Sequence, residues 1–214
     1  MNASDPIRVI REDKLLVVVR LRHVDDAVAE ALRAGGLRAV EISLVSGDPF
    51  AAIRRWGASF ESLVVGAGTV VTRDDAERAI EAGARYLVSP GYSKDVAASA
   101  KEGGVPYLPG ALTPTEIQEA VAAGAVLVKL FPAGRLGPGY VRDLLGPFPT
   151  LELVATGGVD QHNARSFLDA GAAAVAVGGS LVSEGRSPAE LTKAVEALRT
   201  EIVDTNEGGE RRGG

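Results

Sequence analysis

One lysine stands inside an otherwise apolar run, Val126-Leu127-Val128-Lys129-Leu130-Phe131-Pro132. A buried charge is costly unless it is paired or neutralised, so a strand of this composition must deliver the lysine head to a cavity. A neutral amine held there can attack a carbonyl carbon and form a Schiff base, the simplest covalent chemistry open to a metal-free protein. The bland alternative is a lysine that snorkels from a core to solvent. Lys14, Lys94, Lys101 and Lys193 lie in polar surroundings and fit that view, whereas apolar residues flank Lys129 on both sides. An ionisable group in an apolar site is a candidate for function. Glu41 likewise interrupts an apolar strand pattern, between Ala39-Val40 and Ile42. Schiff-base chemistry moves protons on and off a carbinolamine and a substrate hydroxyl, which a nearby carboxyl group can do. The competing reading pairs Glu41 with Arg20 or Arg38.

The elements that would position these groups alternate along the whole chain. Continuous apolar runs at Leu15–Val19, Ala39–Ile42, Leu63–Val65, Tyr86–Val88, Val105–Leu108, Val126–Leu130, Leu151–Ala155 and Ala174–Val177 read as strands buried on both faces. Between them lie alanine-rich helical patterns: Asp25–Ala34, Pro49–Phe60, Asp74–Ala82, Lys94–Glu102, Pro114–Ala123, Tyr140–Leu145, Asp160–Ala170 and Pro188–Val203. Asp25, Asp74, Thr113 and Asp160 stand near the helix starts, where side-chain oxygens cap free N–H groups. Ala-Gly pairs at Ala34-Gly35, Ala82-Gly83, Ala123-Gly124 and Ala170-Gly171 close helices by the left-handed conformation that glycine accepts. Units of about 25 residues, repeated eight times, predict an α/β fold, a (β/α)8 TIM barrel. A short N-terminal helix is expected near Pro6–Asp13. An open doubly wound sheet is the competing architecture. Residues 1–204 are expected to form one barrel domain and 205–214 a polar, glycine-rich, disordered tail.

Bulk properties narrow the partners. The chain has 214 residues, 46% of them hydrophobic, a formal net charge of -5 and no cysteine. Mild acidity without a basic block argues against nucleic acid and membrane surfaces. The absence of cysteine removes disulfides and thiolate metal sites, and His23 and His162 are the only histidines, so no metal site is expected. No apolar stretch suits a bilayer span, and Met1 to Asp13 is polar without the apolar core of a signal peptide. A cytoplasmic protein is expected.

In a barrel the chemistry gathers at the carboxyl ends of the strands. Read there, the sequence offers Arg20; Glu41 and Ser43; Gly66-Ala67-Gly68-Thr69; Ser89-Pro90-Gly91; Pro109-Gly110; Lys129, Phe131 and Pro132; Thr156-Gly157-Gly158; and Gly178-Gly179-Ser180. Arg20 is either a solvated strand terminus or a bidentate holder of a carboxylate. The glycine pairs after the last two strands are either ordinary turns or a phosphate site, where backbone N–H groups and a helix N-terminus meet an anion. Gly66-Ala67-Gly68 begins like a dinucleotide fingerprint, but position 71 is valine. It is read as a tight strand-to-helix turn presenting Thr69.

These motifs together resemble the 2-keto-3-deoxy-6-phosphogluconate (KDPG) and 4-hydroxy-2-oxoglutarate (KHG) aldolase family. The resemblance spans about residues 14–200 and rests on VEISL (Val40–Leu44), GAGTV (Gly66–Val70), VSPG (Val88–Gly91), PGALTPTE (Pro109–Glu116), VKLFPA (Val128–Ala133), GPFP (Gly146–Pro149), TGGV (Thr156–Val159) and VGGSL (Val177–Leu181). It implies a trimeric barrel and a cofactor-free, metal-independent class I aldolase that releases pyruvate. It puts the Schiff-base lysine at Lys129 and the proton-transferring carboxyl group at Glu41. Arg20 and Thr69 would contact the pyruvate part of the substrate, Phe131 would pack on it, and Pro90 would shape the pocket. Gly157, Gly158, Gly179 and Ser180 would receive the phosphate beside Thr156. Many members carry an arginine four residues after the glutamate, where this chain has Val45.

Other readings remain open on the residues alone. A galactonate-series aldolase shares most of the motifs. A phosphate-binding isomerase or decarboxylase could use the same barrel, although the Asp-x-Lys-x-x-Asp pattern of one decarboxylase class is absent, with Leu127 and Pro132 at its flanking places. A non-catalytic ligand-binding protein is the third.

Overall fold

The computed structural model describes residues 5–203; the predicted tail at 205–214 lies outside them. The chain opens with α1 (Pro6–Asp13), started by Asp5, whose carboxylate accepts the Ile7 N–H at 3.1 Å, and by proline in the first turn. Then follow β1 (Leu15–Val19), α2 (Asp26–Ala34), β2 (Ala39–Ser43), α3 (Pro49–Ser59), β3 (Val64–Gly68), α4 (Arg73–Glu81), β4 (Leu87–Val88) and α5 (Lys94–Glu102). The second half comprises β5 (Tyr107–Leu108), β6 (Gly110–Ala111), α6 (Pro114–Ala122), β7 (Val128–Leu130), α7 (Pro138–Leu145), β8 (Leu153–Thr156), α8 (Ala164–Asp169), β9 (Ala174–Val177) and α9 (Pro188–Val203). All strands pair in parallel, in the order β5-β4-β3-β2-β1-β9-β8-β7-β6.

The two ends of that order are neighbours in sequence. Only Pro109 separates β5 from β6, so the predicted fifth strand is one stretch that changes partners midway. Before the proline it pairs with β4; after it, with β7. Proline has no N–H to give, but its carbonyl accepts the Lys129 N–H at 2.9 Å. The sheet therefore closes into the predicted barrel, and the open-sheet alternative is excluded.

Several predicted boundaries move. The third strand runs to Gly68 and the seventh to Thr156, while the fourth and sixth shorten at their amino ends. The helix expected from Asp160 begins at Ala164, because Asp160 and Asn163 first close a turn through Asp160 N–H to Asn163 Oδ1 at 2.9 Å. Thr72, rather than Asp74, caps α4. Asp25 does stand at the N-cap of α2, without a side-chain hydrogen bond. At the first Ala-Gly joint the left-handed residue is Gly36, not Gly35.

Two apolar layers explain why the strands read as unbroken apolar runs. Leu15, Val17 and Val19 of β1 face the helices, while Leu16 and Val18 face the lumen with Val64, Tyr86, Val88, Leu108, Val154, Ala174 and Ala176. The side-chain period of two assigns alternate residues to the two layers. Helix α1 closes the amino end of the lumen with Ile7, Val9 and Ile10. There the buried Asp13 takes Arg38 as its partner, and Arg38 also reaches Glu12 at 3.1 Å. Arg38 is therefore not the partner of Glu41. Among the described residues no helix is long and apolar enough to cross a membrane.

Helix α6 begins with a reciprocal cap directly after β6. Glu116 N–H donates to Thr113 Oγ1 at 3.4 Å, and the Glu116 carboxylate accepts the N–H groups of Thr113 and Leu112 at 2.7 and 2.8 Å. These backbone donors hold the Glu116 carboxyl below the ordinary carboxylate range. Thr113→Ala is expected to lower stability by about 1 kcal/mol, measured by urea unfolding. Because the folded-state value of Glu116 is depressed, its own contribution is present near neutral pH. It disappears as pH falls through that lowered value, so a Glu116→Gln variant and the parent should converge in stability under acid.

Candidate active site

Parity places the two ionisable strand residues. Val128 and Leu130 of β7 pack outward against helices, so Lys129 points into the lumen. Val40 and Ile42 of β2 also pack outward, so Glu41 and Ser43 point inward. Strands β2 and β7 are separated by β1, β9 and β8 on one side, and by β3, β4 and the β5–β6 stretch on the other. The two side chains therefore approach from opposite walls. They meet with Lys129 Nζ 3.6 Å from Glu41 Oε1, the lysine side chain 9% and the glutamate 1% exposed.

Both Glu41 oxygens are buried without a hydrogen-bond partner among the described residues. A carboxyl group left in that state is costly, and the amine opposite is what offsets the cost. An amine and a carboxyl group so placed can pass a proton between themselves and a group bound beside them. Tyr86 fills the layer below. Its hydroxyl donates to the Val40 carbonyl at 2.7 Å, and burial, with the nearby Glu41 charge, pushes its pKa well up. It stays a protonated donor and does not compete for the proton.

Above the pair opens a cavity of about 370 Å³. Of the residues predicted from sequence, Arg20, Lys129, Phe131, Thr156, Gly157, Gly158, Gly179 and Ser180 all line it. The Phe131 ring centroid is 5.6 Å from Lys129 Nζ, within cation–π range. From Phe131 the chain passes through a cis peptide to Pro132 and a turn at Ala133–Arg135. Arg20 is exposed on the cavity wall, where its guanidinium can meet a ligand. Gly157 and Gly158 both have positive φ, 82° and 77°, which bends the loop after β8 around the cavity. A Cβ on Gly179 would meet nothing within 4 Å, which leaves its backbone open to a ligand.

Three predicted residues lie off this cavity wall. Glu41 stands behind Lys129. Thr69 sits beside Ser43, their hydroxyl oxygens 2.8 Å apart. Its φ of 61° is costly for a β-branched residue, so Thr69 itself, and not the glycines before it, makes the turn out of β3. Pro90 is exposed on a loop held by hydroxyls: Ser89 Oγ and Tyr107 OH are 2.5 Å apart, and Tyr107 OH accepts the Ser93 N–H at 3.2 Å. Val45 is 63% exposed after β2.

The expectation of a helix N-terminus at the glycine loops is corrected. Helix α8 starts at Ala164, well beyond Gly158, and the segment after β9 is a turn in which Leu181 and Val182 N–H both donate to the Gly178 carbonyl at 2.8 Å. Any anion there would meet turn N–H groups and the Ser180 hydroxyl. Sequence reading missed Val18, Ala176, Val159 and Asp160 on the cavity wall. The first two were legible as inward positions of β1 and β9. Asp160 was read as a cap; its Oδ1 does accept a backbone N–H, that of His162, at 2.8 Å. Among the described residues no group of three or more His, Asp or Glu side chains is placed to hold a metal ion.

The frame of the site is a closed parallel barrel with a buried amine–carboxyl pair beneath an open cavity. Comparison with known proteins gives its class: the family model described as KDPG and KHG aldolase matches residues 7–198. The 2-dehydro-3-deoxy-phosphogluconate aldolase of Treponema pallidum is 38% identical over 180 residues, 81% of this chain and 84% of that one. A probable 2-dehydro-3-deoxy-6-phosphogalactonate aldolase of Rhizobium meliloti is 35% identical, covering 84% of this chain and 87% of that one. The KDPG aldolase of Legionella pneumophila, solved with pyruvate captured as a covalent carbinolamine intermediate, superposes with a TM-score of 0.84. It is 27% identical and covers 90% of this chain and 97% of that one. The chain belongs to the KDPG and KHG aldolase family, and is an aldolase, a carbon–carbon lyase.

Proposed function

We propose that this enzyme is a class I aldolase that cleaves 2-keto-3-deoxy-6-phosphogluconate to pyruvate and glyceraldehyde 3-phosphate, and 4-hydroxy-2-oxoglutarate to pyruvate and glyoxylate. The observation that carries the reading is the buried Lys129–Glu41 pair, 3.6 Å apart, with Lys129 lining the cavity and Glu41 directly behind it. The Lys129 amine attacks the C2 ketone, and Glu41 protonates the departing oxygen so that water leaves and an iminium forms. Glu41 then takes the C4 hydroxyl proton. The C3–C4 bond breaks, its electrons enter the iminium to give an enamine, and the aldehyde departs. Protonation of the enamine at C3 and hydrolysis by water return the amine and free pyruvate. The iminium is the electron sink, so the mechanism needs no cofactor or metal.

Arg20 holds the substrate carboxylate, Thr69 contacts the pyruvate part and Phe131 packs on it, with Pro90 shaping the pocket. Thr156, Gly157, Gly158, Gly179 and Ser180 form the phosphate end of the cavity. The family resemblance further supports a homotrimer acting in the cytoplasm. Borohydride reduction in the presence of pyruvate is expected to leave a stable three-carbon adduct on Lys129, read by peptide mass spectrometry. Absence of that mass gain removes the proposal. A second reading, the same chemistry on the C4 epimer, is favoured by similarity to the galactonate-series relative. A lactate dehydrogenase-coupled assay on both C4 epimers and on 4-hydroxy-2-oxoglutarate ranks the three substrates.

A further inference from the structure

Position 68 is glycine although its backbone does not ask for one. Gly68 lies in β3 and is not among the glycines with positive φ, so any residue could adopt its conformation. Glycine inside a strand costs stability through lost packing and chain entropy. What the position does require is space. A Cβ on Gly68 would lie 1.8 Å from Glu41 Oε1 and 2.3 Å from both Glu41 Cδ and Cγ. The conflict is with the body of the glutamate side chain, not only with a rotatable oxygen.

The glutamate has little room to yield. It is buried, with Lys129 Nζ on one side. Below it, Gly66 is its register partner on β3, and the Tyr86 ring is seated against Gly66, where a Cβ would lie 2.4 Å from the ring. The Tyr86 hydroxyl, bound to the Val40 carbonyl at 2.7 Å, keeps that ring in place. Ala67, between the two glycines, packs outward among the helices. The lumen side of β3 is therefore a trough with a floor at Gly66 and an open wall at Gly68.

We propose that Gly68 is a positioning residue whose missing side chain fixes where the Glu41 carboxyl group sits relative to the Lys129 amine. The proposal rests on the Schiff-base reading above for its catalytic consequence, but its structural part stands on the contact alone. Gly68→Ala displaces the carboxyl group while leaving the lysine, the cavity lining and the phosphate loops untouched.

The test uses full-length parent, Gly68→Ala, Glu41→Ala and the double variant. After prolonged incubation with pyruvate and borohydride, Gly68→Ala is expected to carry close to one adduct per chain on Lys129, which counts folded sites. Its kcat, and its exchange of pyruvate methyl hydrogens with deuterated water, should fall at least about 30-fold, since both need a placed proton carrier. In thermal unfolding, Gly68→Ala should lower Tm in the parent but not in the Glu41→Ala background, where the crowded atoms are gone. If Gly68→Ala fails to fold, the double variant folding as well as Glu41→Ala still supports the assignment. Additive Tm losses, a double variant that also fails to fold, turnover within about threefold of the parent, or adduct and turnover lost in proportion would each overturn it. Failure of the parent itself to trap pyruvate would instead overturn the aldolase reading, with the Tm comparison still deciding the role of Gly68.

Discussion

Lys129→Met is expected to lower aldol cleavage by at least about 10⁴-fold, because among the described residues Lys129 supplies the amine that lines the cavity and the covalent route closes with it. The change keeps the length and apolar stem of the side chain, so the lumen stays filled. It also leaves Glu41 buried without the amine it is paired with, and breaking such a pair from one side costs about 3–5 kcal/mol when the remaining charge stays. A loss of activity could then be confused with a loss of fold. The double variant Lys129→Met, Glu41→Gln separates the two: it should regain much of the lost stability in urea unfolding while remaining inactive in the coupled assay. An isomerase or decarboxylase using paired acid and base groups without a covalent lysine would keep measurable turnover in Lys129→Met. A ligand-binding protein without activity would show no pyruvate release in the parent.

Glu41→Gln is the second large effect. The amide has nearly the same shape but cannot take up the C4 hydroxyl proton, and kcat should fall about 10²–10⁴-fold, the range a positioned acid–base group contributes. Lys129 remains, so pyruvate should still be trapped by borohydride, more slowly because carbinolamine dehydration loses its proton donor. KM for the phosphorylated substrate should change little, since Arg20 and the glycine loops proposed to hold the carboxylate and the phosphate line the cavity, and Glu41 does not. Rapid trapping and turnover within threefold of the parent would assign the proton transfers to another group.

The barrel was legible because both faces of its strands are buried, which writes each strand as an apolar run. The place where it closes was not. The sequence offers one strand at Val105–Leu108, and nothing local says that the chain passes Pro109 and pairs with β7 over Gly110–Ala111. That follows from the stagger of the closed barrel, in which one stretch serves two neighbours at different heights. Helix starts shifted where a threonine or an Asx turn outcompeted a nearby aspartate, as at Thr72 and Asn163, a choice between caps that differ by fractions of a kcal/mol. The two glycines of the GAG motif read as a turn in sequence because glycine most often marks one. Here they are strand residues that make room for Tyr86 and Glu41.

Sequence alone determined which residues could be reactive. An amine and a carboxyl group, each set in an apolar strand, stand out as candidates, since burial without a partner is costly for either. What only the tertiary structure decided was that each is the other's partner. Residues 41 and 129 sit on walls that face each other after the sheet has closed. Their meeting depends on the side-chain parity of two distant strands, the circumference of the barrel and a vacancy at Gly68, none of which is a property of any local stretch of chain.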